Sequence, residues 1–337
     1  MQQTMKAIGF QEYGSADVLQ EFQLPIPQPA ENEVLIRVAA VGINPADWMF
    51  RKGDFRFFIR GKFPFIPGAD VAGEIIQAGN QVRQFQQGDL VYAMLPTTRA
   101  GGYAEYVIAK VNEVALTPRS ISLMEAAAVP LTALTALQAL RDRAEIKAGM
   151  RVLINGASGG VGSFAVQIAK AMGAAHITGV ASGGNEELVR SLGADAFMDY
   201  TRTDVLQTDA RFDVIFDTIW NHTFWQWKKL LNANGIVVSV NPIAENPINT
   251  LRARLSGSQR LKSVLVKASG TDLNVVRDWI DEGKIRPVID QPYPLTQAVD
   301  AQKYSESKHV RGKLVLVVDE ELASQRPMDA FQQIEAR

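Results

Sequence analysis

The chain has 337 residues, 47% of them apolar, and a formal net charge of −1 from 35 basic and 36 acidic side chains. That length exceeds what one core comfortably organises and points to two domains, while the near-zero charge gives no electrostatic pull toward nucleic acid or an anionic membrane. Cysteine is absent, which excludes disulfides, thiolate nucleophiles and cysteine-ligated zinc.

The opening MQQTMKAIGF lacks a basic-then-apolar leader pattern, and no run of 18 apolar residues follows anywhere. A soluble, cytoplasmic protein is therefore expected. The first 125 residues read as β-rich. MKAIGF, EVLIRVAAVGI, DVAGEIIQAG, DLVYAML and YAEYVIA are short apolar or alternating runs between Gly, Pro and Asn turns. Pro25, Pro27 and Pro29 fix an extended connector. This spacing predicts a curled antiparallel sheet or partial barrel.

Near residue 122 the character changes. SLMEAAAVPLTALTALQALRDRA reads as helical, with Ser122 and Glu125 spaced as a capping box. From 151 onward short apolar strands (RVLIN, HITGVA, AFMDY, FDVIFDT, GIVVSV) alternate with helices over about 160–172, EELVRSLG and WQWKKLL. That alternation predicts βαβ units and a doubly wound parallel sheet. LKSVLVKAS reads as an edge strand and TDLNVVRDWIDEG as a helix. IRPVID, a helix over LTQAVDAQKYSES and GKLVLVV then return to mixed α+β character. The tail ELASQRPMDAFQQIEAR is polar.

The stretch RVLINGASGGVG places small residues as A-x-G-x-x-G at Ala157, Gly159 and Gly162. Ala157 ends the strand in a tight turn, Gly159 lets backbone amides approach a pyrophosphate, and Gly162 lets the helix pack close to the strand. The helix N-terminus adds free N–H groups and a positive dipole. No Gly-Lys-Ser/Thr closes the motif as a P-loop. About 20 residues on, the second strand ends VASGGN, where an acidic residue would read a free ribose 2′-OH. Ser182, the loop amides and Asn185 stand there instead, which points to NADP(H), although no Arg or Lys lies in this loop.

The order of parts resembles the medium-chain dehydrogenase/reductase superfamily, in its zinc-independent quinone oxidoreductase (zeta-crystallin-like) branch. The carriers are VGINPADW (41–48), FPFIPGADVAGEI (63–75), GDLVYAM (88–94), GGYAEYV (101–107), AAAVPLTALTAL (126–137), VLINGASGGVG, VRSLGAD (189–195), FDVIFDT (212–218) and VRGKLVLVV (310–318). The resemblance implies an α/β protein: a GroES-like, partly open β-barrel catalytic domain (1–125 and 269–337) and a Rossmann NADP-binding domain (126–268). Where zinc-dependent members hold their metal, this chain reads Ile43-Asn44-Pro45 and Gly68-Ala69-Asp70, so no metal is expected.

By the same resemblance, Asn44 orients substrate and nicotinamide, with a turn role before Pro45 as its alternative. Thr132, Ala157, Ser158, Gly159, Gly160, Val161, Gly162, Ser182, Asn185, Tyr200, Asp217, Val240, Asn241, Gly312 and Lys313 are the expected cofactor residues. Trp48, Tyr92 and Met94 are expected in the substrate pocket, with core packing as the alternative for any aromatic in the 48–65 stretch. The implied activity is hydride transfer from NADPH to a quinone or an α,β-unsaturated carbonyl; solvent can supply the proton, so no dedicated acid is required. An enoyl or alkene reductase, or a non-catalytic NADPH-binding sensor, stands as the alternative. A homodimer is the usual family assembly.

Overall fold

The computed structural model describes residues 3–57, 63–241 and 258–327. These divide into two units, 1–131 with 268–283 and 287–337, and 132–267 with 284–286.

The first unit opens with β1 (Thr4–Gly9) and β2 (Gln20–Pro25), an antiparallel pair. Next come β3 (Glu33–Gly42), α1 (Pro45–Lys52), β4 (Asp70–Ala78), β5 (Leu90–Met94), β6 (Tyr106–Lys110), β7 (Val114–Leu116) and α2 (Leu123–Ala127). β3 is apolar on both faces, and it pairs antiparallel with both β4 and β6. Strands buried on both sides read as near-continuous apolar runs, as EVLIRVAAVG does. The unit's core gathers Phe10, Ile36, Val41, Phe50, Ile75 and Tyr103.

Two features of this region differ from the sequence reading. The segment from 45 forms a helix, because Pro45 fills its first turn, where an amide would have no partner, and Gly53 closes it in the left-handed region at φ 87°. The alanine-rich stretch after Ser122 is not one helix. α2 stops at Ala127, and α3 (Pro130–Gln138) restarts at a proline that cannot donate into a continuing ladder. A π-turn, 139–143, follows. The capping box at the start of α2 is formed: the Ser122 amide donates to Glu125 Oε2 at 2.8 Å and the Glu125 amide to Ser122 Oγ at 3.3 Å.

The second unit contains β8 (Arg151–Asn155), α4 (Gly160–Ala171), β9 (His176–Ala181), α5 (Glu186–Ser191), β10 (Ala196–Asp199), β11 (Phe212–Asp217), α6 (Phe224–Lys228), β12 (Leu231–Ser239) and β13 (Arg260–Ser263). Every pairing is parallel, in the order β10-β9-β8-β11-β12-β13. Counted from its own first strand this is 3-2-1-4-5-6, the doubly wound order with its switch point between β8 and β11. Leu153, Phe212, Ile215, Trp227 and Val237 pack its core. The run LKSVLVKAS pairs only over β13, at the sheet's edge.

The chain then returns to the first unit with α7 (Gly270–Asp281), β14 (Ile289–Pro294), α8 (Ala298–Glu306), β15 (Lys313–Val317) and α9 (Glu320–Ala323). β15 runs antiparallel to β3 and parallel to β14. The first unit extends to 131, past the expected 125, because α2 packs on β3 and β4; a Cβ on Gly42 would lie 2.3 Å from the Ala127 carbonyl oxygen. Residues 284–286 rejoin the second unit through paired hydrogen bonds between Gln167 and the Arg286 backbone at 3.0 and 2.9 Å.

Candidate functional site

β8 hands over to α4 through the glycine-rich turn. The amides of Gly156 and Ala157 both donate to the Val180 carbonyl of β9, at 3.0 and 2.9 Å, which pins the turn to the neighbouring strand. Gly156 sits at φ 84°, a region that side chains disfavour. A Cβ on Gly162 would stand 2.0 Å from the Gly156 carbonyl oxygen, so only glycine lets the helix approach. Gly159 is different: its nearest neighbour would be 3.5 Å away, leaving its outer face open. Gly159 also caps α4 without a side-chain hydrogen bond, and the first amides of a helix have no intrahelical acceptor. Ser158, Gly159, Gly160 and Val161 are all partly exposed, whereas Ala157 is fully buried. These residues fit a pyrophosphate.

The loop after β9 carries Ser182 and Asn185. Asn185 Nδ2 donates to Ser182 Oγ at 2.9 Å, while its Oδ1 is buried and meets no donor. A ribose hydroxyl would supply that missing donor. Behind the loop stands Asp199, at the end of β10. It accepts from the Thr201 hydroxyl and amide at 2.7 and 2.9 Å and from the Gly183 amide. These donors, the Thr201 hydroxyl foremost, hold its carboxyl below the usual range. Arg202 Nε lies 3.5 Å from the same carboxylate. Tyr200, between them in sequence, is 56% exposed. The sequence reading placed no charged residue in this loop; the neighbouring strand brings two to it.

At the end of β11 the expectation needs correction. Asp217 is 1% exposed, and its carboxylate faces inward. Oδ1 accepts from Asn155 Nδ2 and from the amides of Ile219 and Trp220, at 2.8, 3.1 and 2.9 Å, and Oδ2 accepts from Trp227 Nε1 at 3.0 Å. A carboxylate so engaged braces the loop. Val240 is partly buried, and its amide donates to the Asp217 carbonyl at 3.3 Å. Asn241 is buried, its amide on Ser239 Oγ and its carbonyl accepting from Ser263 Oγ. Thr132 is buried at the start of the second unit.

The first unit assembles a second polar centre from three elements. Asn44 precedes α1, Asp70 begins β4 and Lys313 begins β15, and all three are at most 3% exposed. Lys313 Nζ donates to Asn44 Oδ1 at 2.6 Å and to Asp70 Oδ2 at 3.1 Å. Asn44 Nδ2 donates to Asp70 Oδ2 at 2.9 Å and reaches the Gly42 carbonyl at 3.4 Å. Asp70 Oδ1 accepts from the Leu131 amide in the first turn of α3, at 2.8 Å, where the helix dipole favours negative charge. Burial pushes the Asp70 carboxyl up, against the pull of the Lys313 ammonium.

Asp47 lies beside this centre. It accepts from the amides of Asn44 and Gly68 at 2.8 and 3.0 Å and from the Tyr103 hydroxyl at 3.3 Å. Burial raises its pKa to about 6 despite those donors. Asp47 therefore completes the cap on α1. Asn44's side chain leaves the first turn and goes to Lys313 and Asp70 instead.

Four expectations change here. The Lys313 ammonium is engaged inside the first unit, held there by Asn44 and Asp70. Gly312, at φ 71°, would place a Cβ 2.2 Å from the Val288 carbonyl oxygen, so it serves the close approach of two strands. Tyr92 is fully buried with its hydroxyl on the Leu273 carbonyl at 2.6 Å, and Met94 is 3% exposed. Both belong to the core and do not wall a pocket. Trp48 is partly exposed, and its indole N–H is buried without an acceptor. Among the described residues, no group of three His, Asp or Glu side chains is placed to hold a metal ion.

Comparison with known proteins agrees with this architecture. Residues 30–119 match the alcohol dehydrogenase GroES-like domain, and residues 192–316 match a family described as zinc-binding dehydrogenase. The chloroplast envelope quinone oxidoreductase homolog of Arabidopsis thaliana is 35% identical over 324 residues, 93% of this chain and 98% of that protein. The NADPH-dependent alkenal/one oxidoreductase of the same plant is 34% identical, covering 93% of this chain and 79% of its own. The solved quinone oxidoreductase from Coxiella burnetii superposes with a TM-score of 0.87 at 32% identity, over 94% of this chain and all of that one. The fold and the glycine turn define a nicotinamide-dependent oxidoreductase. The chain belongs to the medium-chain dehydrogenase/reductase superfamily, among its quinone oxidoreductase homologues.

Proposed function

We propose that this chain is a zinc-independent reductase that uses NADPH to reduce a quinone or the carbon–carbon double bond of an α,β-unsaturated carbonyl. The observation that carries the reading is the glycine turn, with Gly159 open outward and Gly162 closed against the strand. When bound there, the reduced nicotinamide supplies the hydride. The α4 amides hold the pyrophosphate, and Ser182 with Asn185 holds the adenosine ribose.

The acceptor class follows from what the chain offers to polarise it. Oxidising a simple alcohol calls for a strong Lewis acid or base at the hydroxyl. The stretch Gly68-Ala69-Asp70 provides no imidazole, and the chain has no thiol. Quinones and enones are electrophilic already and need only orientation and modest hydrogen bonding. Asn44, locked by Lys313 and Asp70, gives the centre a fixed polar wall. The Trp48 indole N–H is a donor still lacking an acceptor. The names of the two plant relatives, one a quinone oxidoreductase homolog and one an alkenal/one oxidoreductase, support both acceptor types.

The test is an NADPH-absorbance assay with 1,4-benzoquinone, 9,10-phenanthrenequinone and a series of 2-alkenals. Turnover with at least one class is the expected result. Tight NADPH binding with no turnover of any of them would instead favour a sensor.

A further inference from the structure

The cofactor reading leaves a chemical gap. A 2′-phosphate carries close to two negative charges at neutral pH, yet the loop that should receive it, Ala181-Ser182-Gly183-Gly184-Asn185, contains no cation. We propose that Arg202, in the turn after β10, supplies that cation and is the residue that selects NADPH over NADH. The assignment rests on the NADPH reading above and names the group that would make it specific.

The connection between the two segments is Asp199. A Cβ on Gly183 would stand 2.5 Å from Asp199 Oδ2, so the carboxylate lies directly behind the loop and accepts the Gly183 amide. Arg202 Nε approaches the same oxygen at 3.5 Å. The 2′-site loop and the β10 turn are thereby joined through one carboxylate. Asp199 takes both Thr201 donors on Oδ1 and turns Oδ2 toward Gly183 and Arg202, so it braces the two segments against each other.

Arg202 is engaged only along its Nε edge. Its side chain is 86% exposed, and its two terminal nitrogens have no hydrogen-bond partner among the described residues. A guanidinium tethered by one edge presents the other as a planar fork, the geometry that matches phosphate oxygens. Arg190 on α5 is held more fully than Arg202, donating to Glu186 at 2.8 Å and to the Asp195 carbonyl at 3.1 Å. Removing Arg202 would also expose an incoming phosphate to the negative charge of Asp199, so its loss penalises NADPH twice.

The experiment is a pair of fluorescence titrations, NADPH and NADH, on the full chain and on Arg202→Ala and Arg202→Lys, with thermal midpoints measured alongside. An exposed charge-assisted contact predicts about a tenfold fall in the NADPH:NADH affinity ratio for the alanine variant, with an unchanged midpoint. Lysine keeps the charge and retains part of the preference. A preference for NADPH that persists in Arg202→Ala overturns the assignment and leaves the cofactor reading standing. An equal loss for both cofactors with a lowered midpoint makes Arg202 structural and also overturns it. Equal affinity for the two cofactors in the unaltered chain removes the NADPH reading itself, and this assignment with it.

Discussion

The two polar centres of this protein are built on opposite principles. In the first unit, Asn44, Asp70 and Lys313 are buried side chains that satisfy one another. In the second, the turn from Gly156 to Gly162 uses backbone, and it leaves the first amides of α4 and the face of Gly159 open. A charged side chain buried without a partner is costly, so a centre of charges must close on itself before any ligand arrives. Backbone amides at a helix start lie at the surface, where water serves until a phosphate replaces it. One centre is therefore self-contained, and the other is left open.

The largest expected effect comes from breaking the closed centre. Lys313→Met leaves Asp70 buried opposite an apolar chain, and removing one partner of a buried pair costs about 3–5 kcal/mol. Denaturant unfolding should show that loss. Adding Asp70→Asn, which removes the stranded charge, should restore part of it. If the double variant is no more stable than Lys313→Met alone, the pair is not what holds this centre.

The open centre gives a smaller effect that separates packing from binding. Gly162→Ala forces a methyl group to within 2.0 Å of a carbonyl oxygen, an overpacking of about 1–3 kcal/mol. Gly159→Ala meets its nearest atom only at 3.5 Å, so its stability should change by about 0.5 kcal/mol or less. Its methyl nevertheless fills the face a pyrophosphate would approach, and NADPH affinity should fall. Unchanged cofactor affinity in Gly159→Ala would mean that the open face is not the phosphate seat.

The same contrast explains what the sequence could reveal. The glycine turn is a local object: strand, turn and helix lie within 151–171, and each glycine answers a local steric demand. The parallel sheet was legible for the same reason, from alternating strands and helices. The closed centre was not, because Asn44 and Lys313 are 269 positions apart and meet only when β15 pairs with β3. A lysine opening the apolar run KLVLV was its one visible signal. Asp217 was misread because strand ends in such sheets commonly face ligand, and no local pattern shows a carboxylate turning inward to Trp227 and its own loop amides. Tyr92 was misread likewise, its hydroxyl answering a carbonyl 181 residues away.

Asp47 allows the comparison to be made within the first unit by pH alone. It is the acid next to the closed centre, and burial lifts its pKa from 3.8 to about 6 in the folded chain. Between those values the folded state holds a proton that the unfolded state has released, so stability falls as pH rises through this window. Below the window both states are protonated, and above it both are ionised, so the site adds no slope there. Asp47→Asn removes the titration and keeps a single acceptor oxygen, enough for the Asn44 amide, now on Oδ2, or the Gly68 amide, now on Oδ1, but not for both. The variant is expected to be less stable, because it exchanges an oxygen acceptor for an amide at one of the three donors. Its deficit should shrink from pH 4 to pH 7, since only the unaltered chain loses stability over that interval. Parallel unfolding curves at pH 4, 5, 6 and 7 measure it. A deficit that is constant or grows with pH would show that Asp47 stays ionised throughout, held by its two amides and Tyr103 more strongly than burial opposes them.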